Sequence, residues 1–216
     1  MSSYKHEFIK FALSQDVLKF GEFTLKSGRI SPYFFNAGLF NTGASMARLG
    51  DYYSQAIQEA NFDTDLIYGP AYKGIPLAAV TAAVLYQKYN KDIAYAYNRK
   101  EVKDHGEGGT IVGHPLAGKN ILVIDDVISA GTSVRESFDI IEQQKATLSG
   151  VIVALDRQEK GTGETSAIQE VEKDYNIRVA SIINLHDLIQ FLQEVPEYHE
   201  HLEKIEVYKN DYGVVN

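Results

Sequence analysis

The middle of the chain reads ILVIDDVISAGTS, from Ile121 to Ser133. Its four apolar residues, 121–124, are typical of a strand that is buried on both faces of a sheet. Two carboxylates, Asp125 and Asp126, follow where this strand ends, and a turn of small residues leads from them into a helical pattern. A buried strand, a tight turn and a helix in this order indicate one unit of a parallel sheet covered by helices.

The same alternation continues on both sides of this segment. Short apolar segments predict further strands at 66–68, 93–97, 151–155 and 179–183. Helical spacing of apolar residues predicts helices at about 3–14, 44–59, 75–88, 133–144 and 166–174. We therefore predict an α/β fold in a single domain over residues 1–216, with a mostly parallel central sheet at about 62–185 that is flanked by helices.

Composition and charge exclude several classes of protein. The 216 residues include no cysteine, so a disulfide framework and a thiolate metal site are both excluded. Lysine and arginine number 21 against 29 aspartate and glutamate residues, and the net charge of −8 disfavours general nucleic-acid binding. The longest largely apolar run, 74–86, is too short to cross a bilayer, and the N-terminus lacks the pattern of a signal peptide. We expect a cytoplasmic protein without a membrane or nucleic-acid partner.

The acid pair and the turn after it suit different parts of one ligand. Paired carboxylates accept hydrogen bonds from vicinal hydroxyls, such as those of a ribose. Gly131 allows close approach of the backbone, and the amides of a helix N-terminus, together with the Thr132 and Ser133 hydroxyls, suit a phosphate. The segment therefore predicts a ribose 5-phosphate site, and the alternative is a solvated strand end followed by a helix cap.

Two further segments follow predicted strands and carry positive charge. Gly69-Pro70-Ala71-Tyr72-Lys73-Gly74 offers backbone amides and a lysine to an anion, and the alternative is a plain turn with an exposed lysine. Residues 99–109 read RKEVKDHGEGG, with three permanent cations, a histidine and closely spaced glycines. Such a loop can close over a site, exclude water and neutralise a departing anion, and the alternative is a solvated charged loop.

These segments carry a resemblance to a known family. Residues 123–133 resemble the phosphoribosyl pyrophosphate signature of type I phosphoribosyltransferases, and 99–109 resemble the catalytic loop of orotate phosphoribosyltransferases in particular. The resemblance extends over about residues 5–195 and implies the type I phosphoribosyltransferase fold, with a small hood over the site formed mainly by residues 1–40. It also implies transfer of the phosphoribosyl group of 5-phospho-α-D-ribose 1-diphosphate to orotate, which gives orotidine 5'-phosphate and pyrophosphate in pyrimidine biosynthesis.

The resemblance assigns roles to residues of this chain. In this family the acid pair, Asp125 and Asp126, holds the ribose. The turn around the 5-phosphate corresponds to Val127, Ile128, Ser129, Ala130, Gly131, Thr132 and Ser133. The expected contacts of the diphosphate are Lys26, Tyr72, Lys73, Arg99, Lys100, Lys103 and His105. Lys73, Lys103 and His105 are expected to act in catalysis with the acid pair, and a non-proline cis peptide bond is implied near Ala71–Tyr72.

The same resemblance places orotate under the hood. The expected contacts are Lys26, Phe34, Phe35, Ser129 and Arg157. Ser129 stands where many relatives have threonine, and it keeps the hydroxyl. A guanidinium such as that of Arg157 forms a planar fork that matches a carboxylate, which orotate has and uracil does not. A structural ion pair is the alternative for Arg157, and core packing is the alternative for the two phenylalanines.

A cofactor and an assembly are also implied. Magnesium is expected to be held mainly by the substrate and water, with no direct protein ligand. The chain is expected to form a homodimer in which loop 99–109 reaches the neighbouring subunit's site. A regulator that senses phosphoribosyl pyrophosphate is one alternative, although it would not need this loop, and a phosphoribosyltransferase for another base is the second. The segment after about residue 194 carries no recognisable motif and is predicted to be a surface helix.

Overall fold

The computed structural model describes residues 1–103, 109–129 and 131–214. Its helices are α1 (Ser3–Ser14), α2 (Gly43–Ala60), α3 (Gly74–Tyr89), α4 (Thr132–Gln143), α5 (Ala167–Tyr175), α6 (Leu185–Glu194) and α7 (Leu202–Tyr212). Its strands are β1 (Leu18–Thr24), β2 (Ile30–Phe35), β3 (Leu66–Gly69), β4 (Ala94–Lys103), β5 (Gly109–Gly113), β6 (Asn120–Asp125), β7 (Thr147–Asp156) and β8 (Arg178–Asn184). Among these described residues, no helix combines the length and the apolar character needed to cross a bilayer.

The strands form two separate sheets in the described part of the chain. Strands β1 and β2 pair antiparallel in a hairpin, and the other six form one sheet in the order β5-β4-β3-β6-β7-β8. Neighbouring strands from β4 to β8 in this order are parallel, whereas β5 lies antiparallel to β4 at the edge. The prediction of an α/β fold with a mostly parallel central sheet is confirmed.

Both faces of strand β6 are covered. Leu122 and Ile124 belong to one buried cluster, together with residues of α1, α2, α3 and α6. Ile121 and Val123 belong to a second cluster, together with residues of α4 and α5. Successive side chains of a strand point to opposite faces, so the run of four apolar residues fills both layers. The end of β6 is therefore held in the middle of the sheet by packing on both sides.

Helix α6 is absent from the sequence-based prediction because no turn precedes it. It begins directly after β8, and Asn184 is both the last strand residue and the cap of the helix. The Asn184 side chain accepts a hydrogen bond from the Asp187 amide (2.9 Å), and the Asp187 carboxylate accepts one from the Asn184 amide (3.0 Å). This reciprocal cap takes the place of the glycine or proline that marks most boundaries.

Strand β5 is absent from the prediction for a different reason. Charges and glycines predict a loop over residues 99–109, but β4 extends to Lys103 and β5 begins at Gly109. The two strands pair antiparallel up to Asn98 and again at Lys103, with an irregular register between them, and a reading of local composition does not detect this pairing.

The C-terminal segment contributes to the core as well as to the surface. Helix α7 has the predicted helical conformation, but Ile205 and Tyr208 are buried in the larger core cluster. Near the end of α7, the Lys160 amide donates a hydrogen bond to the Tyr212 carbonyl (2.8 Å). This end of the chain is therefore packed against the loop that follows β7.

Candidate active site

Two buried carboxylates lie at the carboxyl end of β6. Asp125 and Asp126 are only 9% and 6% exposed. The Asp125 carboxylate accepts a hydrogen bond from the Asp126 amide (2.9 Å), and the Asp126 carboxylate accepts one from the Val127 amide (2.9 Å). The other carboxylate oxygen of Asp126, Oδ2, lies 2.6 Å from Nζ of Lys73. The structure thus brings Lys73 to the acid pair, although the two segments are distant in the sequence.

The acid pair carries more negative charge than Lys73 balances. Burial, reinforced by the negative charge of Asp126, raises the pKa of the Asp125 carboxyl from its ordinary value of 3.8 to about 6. Lys73 lowers this pKa but does not cancel the shift. Groups that donate hydrogen bonds to carboxylates, such as the hydroxyls of a sugar, would stabilise the ionised pair.

Tyr53 and strand β7 fix the backbone of the acid pair. The fully buried Tyr53 of α2 donates a hydrogen bond from its hydroxyl to the Asp125 carbonyl (2.8 Å). The Asp126 carbonyl accepts hydrogen bonds from the amides of Ala154 and Leu155 (2.9 and 3.3 Å). Sequence reasoning does not single out Tyr53, because a tyrosine in a sequence gives no sign of what its hydroxyl contacts.

The turn after the acid pair ends in a glycine with a left-handed backbone. Gly131 has φ +71° and caps α4, a conformation that favours glycine over other residues. The other described residues of the turn are exposed or half-buried: Val127, Ile128, Ser129, Thr132 and Ser133. Ala130 lies outside the described residues. An accessible helix N-terminus with hydroxyl-bearing residues around it is suited to binding a phosphate.

The turn after β3 is closed by contact between two glycines. A Cβ atom on Gly69 would lie 2.1 Å from the Gly74 carbonyl oxygen, and one on Gly74 would lie 2.6 Å from Cδ of Pro70. The Gly74 amide also donates a hydrogen bond to the Pro70 carbonyl (3.0 Å). The Ala71–Tyr72 peptide bond is cis, as the resemblance implies. The turn therefore has no room for a side chain at either glycine.

Strand β4 makes a hydrogen bond to this turn. The Ala71 amide donates a hydrogen bond to Oδ1 of Asn98 (2.8 Å). Sequence reasoning misses Asn98, because asparagine after an apolar strand is more typical of a turn than of a residue with a long-range partner. Two residues further along β4, Nζ of Lys100 lies 5.1 Å from the centroid of the Tyr72 ring. The turn and the end of β4 thus form one surface.

The structure brings some of the predicted diphosphate contacts together. Tyr72 contacts Lys100, and its neighbour Lys73 contacts the acid pair. Arg99 is half-buried in β4, and Lys103 is the last residue of that strand. His105 lies outside the described residues, so its predicted role stays a prediction.

The hairpin formed by β1 and β2, here called the hood hairpin, carries the predicted base contacts. Lys26 is exposed in the turn between the two strands. Phe34 is 39% exposed and stacks on Phe23 with ring centroids 5.4 Å apart, whereas Phe35 packs against Phe8 of the core at 6.5 Å. Successive residues of a strand face opposite ways, so the rings of Phe34 and Phe35 lie on opposite faces of the hairpin. The ring of Phe34 is accessible to a ligand.

Arg157 lies against the hood hairpin and has protein partners there. Its Nε and Nη2 atoms lie 2.8 and 2.7 Å from Oε1 of Glu159, and Nη2 also donates to Oγ of Ser31 (2.9 Å). The guanidinium lies 4.1 Å from the centroid of the Tyr33 ring. The structure thus contains an ion pair of the kind expected in the alternative reading of Arg157. These contacts do not involve Nη1, and a contact of Arg157 with a carboxylate ligand stays a prediction.

Comparison with known proteins relates the whole chain to one family. The family described as phosphoribosyl transferase domain matches residues 37–187. The orotate phosphoribosyltransferase of Yersinia enterocolitica is 58% identical over 214 residues, which cover 99% of this chain and 100% of the relative. The orotate phosphoribosyltransferase of Nitrosococcus oceani is 60% identical over 214 residues, which cover 99% of this chain and 97% of the relative.

A solved structure agrees with the sequence comparison. The orotate phosphoribosyltransferase of Francisella tularensis has a TM-score of 0.88 and 46% identity, and the match covers 96% of this chain and 99% of that one. The similarity extends beyond the domain match at 37–187 into the hood hairpin and the C-terminal segment. This chain therefore belongs to the orotate phosphoribosyltransferase family.

Proposed function

We propose that the protein transfers the phosphoribosyl group of 5-phospho-α-D-ribose 1-diphosphate to orotate, giving orotidine 5'-phosphate and pyrophosphate in pyrimidine biosynthesis. The observation that carries the proposal is the buried Asp125–Asp126 pair at the end of β6, with the Gly131 turn after it and Lys73 against it. A phosphorylated sugar with free hydroxyls has the groups that match these features. The family to which the chain belongs supports orotate as the acceptor.

The sugar-phosphate part of the donor fits the end of β6. Asp125 and Asp126 accept hydrogen bonds from the ribose hydroxyls, which stabilises the ionised form of Asp125, whose pKa burial raises. The 5-phosphate lies at the N-terminus of α4, against residues 127–133. There the helix dipole, the backbone amides and the hydroxyls of Thr132 and Ser133 stabilise its negative charge.

The diphosphate binds between the turn after β3 and the cations of residues 99–109. Tyr72 and Lys73 contact it from the turn, where Lys73 already lies against the acid pair. The remaining contacts in this proposal are Lys26, Arg99, Lys103 and His105. Positive side chains on two sides of the diphosphate stabilise the charge that it gains as it departs.

The reaction is a displacement at the anomeric carbon of the ribose. The N1 lone pair of orotate forms the new bond to C1, and the bond from C1 to the diphosphate oxygen breaks on the opposite face, with inversion. The proton on N1 passes to water or to the departing diphosphate. The ribose ring carries positive charge in a transition state that resembles an oxocarbenium ion. The protein contributes positioning and stabilises the leaving group through Lys73, Lys103 and His105.

The chemistry of the site is compatible with magnesium. Mg²⁺ prefers oxygen ligands, keeps several waters and is commonly held through substrate phosphates. The acid pair offers carboxylate oxygens, and the described residues include no group of three or more histidine, cysteine or acidic side chains that could hold a metal ion. The ion is held mainly by the substrate and water in this proposal, and it supplies charge neutralisation to the diphosphate.

Orotate binds against the hood hairpin in this proposal. The accessible ring of Phe34 lies along the base, and Phe35 contributes through its backbone because its ring packs into the core. Lys26 and Ser129 donate hydrogen bonds to the base. Arg157 donates from Nη1 to the carboxylate of orotate, which accounts for a choice of orotate over uracil.

The assembly in this proposal is a cytoplasmic homodimer. Residues 99–109 of each subunit complete the active site of the other subunit. Strands β4 and β5 support this arrangement, because they lie at the edge of the sheet and β3 separates them from the acid pair on β6. A segment at the edge of the sheet is accessible to a second subunit.

A panel of bases tests the proposal. The protein is incubated with 5-phospho-α-D-ribose 1-diphosphate, magnesium and one base, which is orotate, uracil, hypoxanthine or adenine, and pyrophosphate release is measured. We expect release with orotate alone. Release with another base instead would identify a different phosphoribosyltransferase, and binding of the donor without release in any reaction would favour a regulator that senses it.

A further inference from the structure

Three distant segments of the chain, one of which is the hood hairpin, meet at one junction. Arg29, which directly precedes β2, donates from Nη1 to the Lys160 carbonyl (2.7 Å) and from Nη2 to the Gly161 carbonyl (3.2 Å). The same guanidinium lies 4.8 Å from the centroid of the Tyr212 ring, at the end of α7. The hairpin is therefore anchored both to the loop after β7 and to the C-terminal helix.

Glu159 lies at the centre of this junction. Its Oε1 atom accepts hydrogen bonds from Nε and Nη2 of Arg157 at 2.8 and 2.7 Å, and from the Tyr33 hydroxyl at 3.3 Å. Its Oε2 atom lies 4.0 Å from Nη1 of Arg29. One carboxylate thus contacts two guanidinium groups and a tyrosine of the hairpin.

The charged groups of this junction are largely buried, so their stability depends on ion pairs and hydrogen bonds with one another. The Glu159 side chain is only 12% exposed, and charged groups at such positions are stable when they are paired and hydrogen-bonded. Charge-assisted hydrogen bonds are also stronger and more directional than neutral ones. Glu159 accepts from the Nε–Nη2 edge of Arg157, Ser31 accepts from Nη2, and Tyr208 of α7 lies beside the pair. These contacts fix the plane of the guanidinium and thereby the direction of Nη1.

We propose that Glu159 is a positioning residue for base recognition: it fixes Arg157 so that Nη1 faces the carboxylate of orotate, and it fastens the hood hairpin to that arginine. This inference rests on the proposed function and adds to it a residue that acts through Arg157.

The variant Glu159→Gln tests the inference, because glutamine has nearly the same shape and lacks the charge. Steady-state kinetics of the full-length variant should show a KM for orotate raised by about tenfold or more, with kcat and the KM for the donor within about twofold of the wild type. Glu164→Gln is the matched control on the same loop. Glu164 pairs with Lys160 at 2.6 Å, but its side chain is 89% exposed, so this variant should leave all three constants unchanged.

A purely structural role of Glu159 predicts a different result. The melting temperature and the active fraction would fall, while the KM for orotate would stay at its wild-type value. That result, or an equal rise of the KM for both substrates, would overturn the inference.

A second variant tests the inference if Glu159→Gln does not fold. Arg29→Lys keeps the charge but removes the forked hydrogen bonds from the hairpin to the Lys160 and Gly161 carbonyls. It should raise the KM for orotate in the same selective way, and an unchanged KM would count against Glu159 and its junction.

The wild-type protein separates this inference from the proposed function. If the wild type releases no pyrophosphate with orotate, the proposed function itself is wrong. If the wild type turns over orotate and both variants keep its KM, only the role of Glu159 is wrong.

Discussion

At the scale of single residues, a buried carboxyl at the end of β6 destabilises the fold at neutral pH. Burial and the neighbouring Asp126 raise the pKa of Asp125 from 3.8 to about 6. The folded chain therefore binds this proton more tightly than the unfolded chain, and the free energy of unfolding falls as the pH rises from about 4 to about 6. Above that range the whole destabilisation, about 3 kcal/mol, is present.

Replacing Asp125 by asparagine should stabilise the ligand-free protein. Asp125→Asn keeps an Oδ1 acceptor for the Asp126 amide but has no charge to bury. Urea unfolding at about pH 8 should show a gain of about 1–3 kcal/mol, and the gain should shrink toward zero near pH 4, where the wild-type carboxyl is protonated. Pyrophosphate release should fall by about a hundredfold or more, because the ribose loses a charged acceptor.

The exposed Asp139 of α4 offers a matched control for this variant. Asp139→Asn should change neither the free energy of unfolding at the two pH values nor the rate of pyrophosphate release. An equal gain for Asp125→Asn at both pH values, or no gain near pH 8, would contradict the explanation based on its pKa.

At the scale of elements, the turn after β3 depends on the close approach of two backbones. A Cβ atom on Gly74 would lie 2.6 Å from Cδ of Pro70 and 2.8 Å from the carbonyl carbon of Gly69, so Gly74→Ala must displace the turn. Urea unfolding should show a loss of about 1–3 kcal/mol, and kinetics should show a higher KM for the phosphoribosyl donor.

Gly43 provides the control, because it is also the first residue of a helix. A Cβ atom there has nothing within 4 Å, so Gly43→Ala should leave the stability and the KM close to their wild-type values. If the two alanine variants behave alike, the tightness of the turn after β3 has no part in binding the donor.

The elements that sequence reasoning predicts are those with boundary signals of their own. Helix α1 is predicted at 3–14 and begins and ends at these residues in the structure. Helix α6 lacks such a signal, because Asn184 ends the strand and caps the helix. The charges of residues 99–103 are typical of a loop, but these residues belong to β4, which pairs with β5 on both sides of an irregular stretch, at Asn98 and at Lys103. Long-range pairing decides these cases, and it has no local signature.

Some residues of the candidate site can be identified from the sequence alone, and others only from their contacts in the folded chain. Asp125, Asp126 and Gly131 follow a buried strand in a recognisable order, so the sequence alone predicts a site there. Tyr53 and Asn98 act through single hydrogen bonds to Asp125 and Ala71, which are distant in the sequence. Glu159 likewise gains its importance from contacts with Arg29 and Tyr33 of the hood hairpin. Such residues are recognised only when the folded chain shows their partners.

At the scale of the whole molecule, a shared active site has a quantitative consequence. Lys103→Ala should lower kcat by orders of magnitude, because the variant removes a cation that stabilises the departing diphosphate, and it should leave the fold intact. Asp125→Asn instead removes a charge from the acid pair of the site. If each site takes its acid pair from one subunit and residues 99–109 from the other, a mixed dimer of the two variants contains one intact site.

Refolding the two variants together tests this arrangement. An equal mixture should recover about a quarter of wild-type turnover, because about half of the dimers are mixed and each of these has one intact site of two. Each variant refolded alone is the control. A mixture as inactive as its components would show that the acid pair and residues 99–109 act within one chain.

The hood hairpin is joined to the rest of the protein by side chains and not by strand pairing with the main sheet. In the described part of the chain, β1 and β2 form their own sheet, and Arg29 and Glu159 connect it to the loop after β7. Units connected in this way open separately, at a free energy below that of global unfolding. Amide hydrogen exchange should therefore be faster in β1 and β2 than in β6, and orotate should slow it in the hairpin.

Equal exchange rates in β1, β2 and β6 would show that the hairpin and the sheet open as one cooperative unit. If the hairpin opens separately, its transient detachment exposes the surface that binds the base. The sugar-phosphate site at the end of β6 stays folded. One substrate can then dissociate while the other stays bound.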